Sequence, residues 1–165
     1  MQIPRRKPGK YALVRPDPYI SQARFDELTE KLDKLKNVSR PPAIAEVKRL
    51  AMMGDFSENY AYQIAKGRLR GINNRILAIE TELNRAEIIK PKNTNFVQIG
   101  HTVTLETCGK QRIYQILGSA ETDPTSGKIS HNSPLGNALI GHHVGEKVLV
   151  HQGDHSKEYT ILKID

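Results

Sequence analysis

Residues 54–86 read GDFSENYAYQIAKGRLRGINNRILAIETELNRA. Tyr62, Ala65, Leu69, Ile72, Ile76, Ile79, Leu83 and Ala86 recur in steps of three and four. That spacing keeps one apolar stripe on one side of a helix, as a sustained heptad seam does. Upstream, Phe25, Leu28, Leu32 and Leu35 form a second stripe, which meets Pro41-Pro42 and resumes with Ile44, Val47 and Leu50. Ser21 is the expected N-cap of this first helix, and the prolines predict a kink or break near residue 41. Met53-Gly54-Asp55 is expected to end it, glycine being the favoured residue just past a helix. Two stripes of about 30 residues, joined by a tight turn at 54–58, satisfy each other as an antiparallel coiled-coil hairpin with arms roughly 45 Å long. Gly67 and Gly71 fall on its outer face, where each costs about 1 kcal/mol relative to alanine. They point to local looseness or to close approach of a partner.

Lys90-Pro91 is expected to end the second helix. Beyond it the periodicity shifts towards two, and Val97–Glu106, Arg112–Leu117, Lys147–Val150 and Glu158–Ile164 read as strands. A turn-rich run, Asp123–Gly127, lies between them, and Pro134–Gly141 suits a short helix or a covered loop. The fold class is α+β: a helical hairpin over 21–90 followed by a small, mostly antiparallel β-rich domain over 91–165. Residues 1–20 hold four prolines and five basic side chains against one acid, which reads as a flexible basic extension.

Composition narrows the function. Aromatic residues are 5% of the 165 and tryptophan is absent, which argues against one thick core. The single cysteine, Cys108, excludes an intrachain disulfide and a cysteine zinc cluster. No apolar run has signal-peptide or membrane-span length, so a soluble, cytoplasmic protein without a membrane partner is expected. The net charge of +7 is concentrated before residue 91, since 91–165 hold seven bases and seven acids. Anionic partners such as RNA or DNA phosphates are expected at that half, although such an excess also serves solubility alone.

The chemistry-bearing stretch is the joint between the helices. Asp55 and Glu58, three residues apart at a helix start, form a capping box in the ordinary reading. In the functional reading they reach a magnesium ion, which takes carboxylate, water and phosphate oxygens. Two exposed carboxylates hold it weakly alone, and would matter when inserted into a site already holding one metal, where a second ion activates water. Lys48, Arg49, Lys66, Arg68, Arg70 and Arg75 surround the joint, a basic sleeve suited to guiding a nucleic-acid strand. Equally, they form a solvated face, with Arg68 and Arg75 paired across the coiled coil. His142-His143 and His151/His155 lack a cysteine or acid at ligand spacing and read as surface.

The block Gly54–Asn59, followed by Tyr62 and Ala65-Lys66, resembles the hairpin-tip signature of the Gre transcript cleavage factors. Gly127–Gly141, GKISHNSPLGNALIG, resembles their C-terminal signature, in the matching order and separation. The resemblance covers about residues 20–165. It implies an FKBP-like C-terminal domain that docks on RNA polymerase through Asn132, Ser133 and Pro134, with the coiled coil entering the secondary channel. Asp55 and Glu58 would then help hold the second Mg2+ of the polymerase active centre, shared with the polymerase and not bound alone. Ser57 and Asn59 would support them. The polymerase would cut backtracked RNA near its 3′ end, and the protein, a monomer, would not itself be an enzyme. Tyr60-Ala61-Tyr62 departs from the pattern, which usually carries an acid there. The rival readings are a Gre-fold inhibitor that plugs the channel, a prolyl isomerase using the FKBP-like domain, against which stands an aromatic set of only Phe96, Tyr114 and Tyr159 with no tryptophan, and a nucleic-acid-binding coiled coil with no polymerase role.

Overall fold

The computed structural model describes residues 17–53, 60–91, 94–152 and 155–165. The chain divides into two compact units. One is Ile20–Lys90, and the other joins residues 17–19 to Pro91–Asp165.

The first unit is the helical hairpin. Strand β1 (Tyr19–Ile20) leads into α1 (Gln22–Asp33), a π turn (Lys34–Ser39) and α2 (Arg40–Ala51); the returning arm is α3 (Tyr60–Arg85), followed by β2 (Glu87–Ile88). Ser21 caps α1, its hydroxyl accepting the Arg24 N–H at 3.2 Å. The chain does not break at Pro41-Pro42. The prolines sit in the first turn of α2, where a missing N–H costs nothing. The turn before them is the π segment, in which the Arg40 N–H donates to the Leu35 carbonyl, five residues back. A π turn takes more residues per turn than an α turn, so it rotates everything after it. The seam therefore resumes at Ala43, which is buried, and not at Ile44, which is 44% exposed.

Across the seam, Leu28, Ala43 and Leu50 are buried on one arm and Ala65, Ile76 and Ile79 on the other. The arms run antiparallel, as two ion pairs between them show: Arg68–Glu46 at 3.6 Å and Lys36–Glu80 at 2.6 Å. Both pairs are well solvated, so they select register more than they add stability. The second helix stops at Arg85, five residues before Lys90-Pro91. The Ile89 N–H instead donates to the Ile20 carbonyl at 2.9 Å, closing the base of the hairpin. α2 ends at Ala51, with Met52 as C-cap.

The second unit is a five-stranded sheet in the order β5-β4-β3-β7-β6, made of β3 (Thr102–Thr107), β4 (Lys110–Leu117), β5 (Lys128–Ser130), β6 (Lys147–Gln152) and β7 (His155–Ile164). Its pairings are antiparallel except β4–β5, which is parallel. Helix α4 (Pro134–Leu139) lays Leu135 and Leu139, one turn apart, against Val103, Leu105, Ile116, Val148, Val150 and Ile161. Each such side chain, fully buried, contributes about 1.5–3 kcal/mol. A register shift at Thr104/Leu105 places an extra residue on β7. That bulge lets Ile161 and Ile164, three apart, both reach the core, and bulges of this kind bend a sheet. The Asp123 carboxylate accepts from the Thr125 and Ser126 hydroxyls at 2.6 and 2.7 Å, which holds its pKa below the usual value and fixes the expected turn. Val97 is fully buried but is not in a strand. Its N–H and carbonyl bond to His142 and Gly141.

A Cβ at Gly67 or Gly71 would meet nothing within 4 Å. Gly67→Ala and Gly71→Ala should therefore each stabilise the hairpin by about 1 kcal/mol, read by urea denaturation followed through helical circular dichroism.

His101 is 2% exposed. Its Nδ1 accepts the Gln98 N–H at 3.1 Å, and burial holds its pKa below the usual 6.5. The unfolded chain takes up a proton at that value while the folded chain does not. Its contribution is thus complete above pH 6.5, falls as the pH drops below that, and levels off once the folded imidazole is protonated. In a Tm profile from neutral to mildly acid pH, His101→Asn, whose amide oxygen replaces Nδ1 as acceptor, should flatten this fall.

Candidate functional site

Asp55, Ser57, Glu58 and Asn59 lie outside the described residues, and so does the capping reading of Asp55 and Glu58. What is described is the pair of helix ends leading to them. Lys48 and Arg49 are exposed in the last turn of α2, and Lys66, Arg68, Arg70 and Arg75 are exposed on α3. Helical spacing separates the α3 cations into two rows. Lys66 and Arg70, four apart, share one flank of the seam, and Arg68 and Arg75, seven apart, share the other. Arg68 faces Glu46 across the hairpin. Arg75, also expected to pair across the coiled coil, has no carboxylate partner among the described residues. Lys66 Nζ stands over the Tyr62 ring, 5.9 Å from its centroid, and Arg49 reaches Met53 Sδ at 3.7 Å. Lys48, Arg70 and Arg75 are left to solvent.

An apolar component accompanies this charge. Met52, Met53 and Tyr60, the residues flanking 54–59, are 76%, 67% and 78% exposed, and Ile64 is 48% exposed. The sequence reading used Met53 only as a helix end and Tyr60 only as a departure from the Gre pattern, and passed over Met52 and Ile64, which fall off the seam marked by Leu50, Tyr62 and Ala65. Such a collar suits insertion between other surfaces more than free solution.

The second predicted site, Asn132-Ser133-Pro134, is a rigid corner. Ser133 caps α4: its hydroxyl donates to the Ser130 carbonyl at 2.6 Å and accepts the Gly136 N–H at 3.0 Å. Pro134 follows in the first turn, where proline is preferred. A Cβ on Gly136 would lie 2.1 Å from the Ser130 carbonyl oxygen, so only glycine lets the helix start this close to β5. The Asn132 N–H donates to Ser130 Oγ at 3.1 Å. The Asn132 and Pro134 side chains remain exposed, a preformed surface at low conformational cost.

Asp17 fastens the opposite side of this corner. Its Oδ2 accepts the Ser119 N–H at 2.9 Å and the Asn132 amide at 3.4 Å, and lies 4.0 Å from His131 Nδ1. The Tyr19 ring stands edge-on to His131, centroids 5.6 Å apart. Gly118 admits the strap, since a Cβ there would meet the Tyr19 carbonyl oxygen at 1.8 Å. Sequence reasoning did not place Asp17 or Ser119 here; nothing in the spacing joins Asp17 to a corner more than a hundred residues away.

Two family models cover nearly all of this architecture. "Transcription elongation factor, N-terminal" matches residues 18–88, and "Transcription elongation factor, GreA/GreB, C-term" matches 91–165. The chain is a GreA/GreB-family transcription elongation factor. It is 40% identical over 150 residues to the transcription elongation factor GreA of Caulobacter vibrioides (strain NA1000 / CB15N), covering 88% of this chain and 96% of that protein. It is also 40% identical over 134 residues to the GreA of Staphylococcus carnosus (strain TM300), covering 79% and 84%. A solved structure of the GreA homologue Gfh1 of Thermus thermophilus aligns with 26% identity over 88% of this chain and 97% of that one, at a TM-score of 0.40.

The histidines and aromatics of this Gre chain that the sequence singled out do not gather into a common centre among the described residues. The histidine pair does have an acid beside it: Glu146 accepts from His142 Nδ1 at 2.5 Å and from the His143 N–H at 3.1 Å. The His143 N–H bond chiefly holds the Glu146 pKa below its usual value. The knot closes a turn, and among the described residues no group of three or more His, Cys, Asp or Glu is placed to hold a metal. The few aromatics that counted against the isomerase reading are also dispersed. Phe96 tilts against His143, 6.2 Å away, while Tyr114 and Tyr159 line a different cleft. No described helix is long and apolar enough to cross a membrane.

A charge-assisted hydrogen bond is worth about 1.5–3 kcal/mol. Asp17→Ala should accordingly destabilise the C-terminal unit by an amount in that range, measured by chemical denaturation.

Proposed function

We propose that this Gre-family chain binds a bacterial-type RNA polymerase, inserts its hairpin into the secondary channel and stimulates the polymerase's own cleavage of backtracked RNA. The observation that carries the proposal is Asp55 and Glu58 at the joint of a hairpin that the family models match through both arms. A long, thin, paired-helix arm is a shape that reaches into a channel, and the cations on both flanks suit a passage lined by nucleic-acid phosphates.

In this mechanism the C-terminal unit docks through Asn132 and Pro134, with Ser133 holding the corner. Asp55 and Glu58 would hold a second Mg2+ shared with the polymerase, which would supply water activation and charge neutralisation at the attacked phosphate. Ser57 and Asn59 orient the carboxylates. Lys48, Arg49, Lys66, Arg68, Arg70 and Arg75 steer the extruded 3′ RNA by its phosphates, so their contribution falls with salt. The chain acts as a cytoplasmic monomer, is not itself an enzyme, and holds no metal before it meets the polymerase.

A second reading has the same chain plug the channel and inhibit. Tyr60 favours it: this ring is 78% exposed beside the tip, where the Gre pattern usually carries an acid.

The deciding experiment uses RNA polymerase stalled in a backtracked complex with 3′-labelled RNA and Mg2+. The wild-type chain should release short 3′ fragments. Asp55→Ala and Glu58→Ala should bind comparably and lower the cleavage rate at least tenfold. A wild-type chain that binds and slows cleavage would establish the inhibitor reading instead.

A further inference from the structure

The core face of the C-terminal sheet is covered by α4 over only part of its length. The register pairs Val103 with Tyr114, Leu105 with Arg112 and Thr107 with Lys110, so Tyr114, Arg112 and Lys110 stand on the same face as buried Val103 and Leu105. On β7, Tyr159 and Lys157 lie opposite Val148 and Val150 and join that face from the other side of β3. At the β3–β4 turn these side chains, with Thr107 and Cys108, enclose a cleft of about 200 Å³.

The charge in this cleft has one sign. Lys110, Arg112 and Lys157 line it and no acid does. Among the described residues, none of the three is paired with a carboxylate. The acids of these strands alternate to the opposite face, where Glu158 binds Lys147 at 2.9 Å and Glu106 flanks Gln111. Three exposed cations gathered beside one cleft repel one another and focus a positive field. The two tyrosines give hydroxyl donors at the floor. Burial first, then the neighbouring Tyr114, pushes the Tyr159 phenol up against the lowering effect of Arg112, so it keeps its proton.

We propose that this cleft is an anion site that takes a compact phosphoanion, a phosphate or diphosphate group carried by a free nucleotide or by a nucleic-acid backbone. The donor set fits that chemistry. An arginine fork grips two phosphate oxygens, lysines add point charges, and phenols donate to the rest. One carboxylate would leave two of the three cations uncompensated. The volume is below the 300–1,000 Å³ or so of a typical small-molecule pocket, so the charged group enters and the remainder of its carrier lies outside. The cleft is at the opposite end of β4 from the Asn132–Pro134 corner, and its occupancy needs neither that corner nor the hairpin tip.

Cys108, exposed at the mouth, is the chain's only cysteine and reports on the site without polymerase. The full-length protein is alkylated with iodoacetamide, and the rate at Cys108 is followed by mass spectrometry in the presence of pyrophosphate or a single-stranded RNA 12-mer. Pyrophosphate should slow the reaction at least fivefold. The double variant Arg112→Ala/Lys157→Ala should need at least tenfold more pyrophosphate for the same protection. The charge-preserving Arg112→Lys/Lys157→Arg should retain most of it, which guards against a folding defect, and Lys147→Ala on the opposite face should match wild type. Protection by both probes assigns the site to free phosphoanions, and protection by the RNA alone assigns it to a strand. Protection by neither, equal protection of the double variant, or protection only by a polyglutamate peptide would overturn the proposal.

Discussion

The hairpin depends on a single seam between α1–α2 and α3. Neither arm has another apolar surface to bury itself against within its unit, and isolated helices of this length owe most of their stability to such packing. The π turn at Lys34–Ser39 is what keeps the seam continuous. Pro41 and Pro42 would remove hydrogen bonds from the interior of one long helix. The π turn runs directly into α2 with the prolines in its first turn, where proline is tolerated, and Ala43 and Leu50 lie buried on the seam. The cations of α3 are carried on both flanks of the paired arm.

The C-terminal unit solves a different problem. Its sheet must bend around a helix of only six residues, and the β7 bulge provides the bend. The exposed corner at Asn132–Pro134 is held by close backbone approaches at Gly118 and Gly136 and by the Asp17 carboxylate, so its surface is set before any partner arrives. Preorganisation of this kind lowers the ordering cost of association.

Charge is partitioned in the same way in both units. Acids pair with cations on solvated faces, as in Lys36–Glu80 and Lys147–Glu158, while unpaired cations collect on surfaces with a geometric purpose. These surfaces are the flanks of the arm and the cleft at the β3–β4 turn. Unpaired cations gathered on one surface raise the positive potential there.

Much of this was legible in the chain itself. Period-3.6 stripes, the Ser21 cap, alternating strands and two separated signature blocks determined the hairpin, the β-rich domain and the family, because each is a local or periodic property. Tertiary structure decided the rest. A π turn leaves no periodic trace of its own, so the shift from Ile44 to Ala43 could not be read. β5 is three residues long and pairs in parallel across a connection, too short to alternate visibly. The second helix yields to β2 where the Ile89 N–H meets the Ile20 carbonyl, a contact between residues far apart in the chain. Asp17 at the Asn132–Pro134 corner, and Lys110, Arg112 and Lys157 in one cleft, are juxtapositions that only tertiary structure creates. Sequence spacing records which way a side chain points along its own element, and folding alone determines what it then meets.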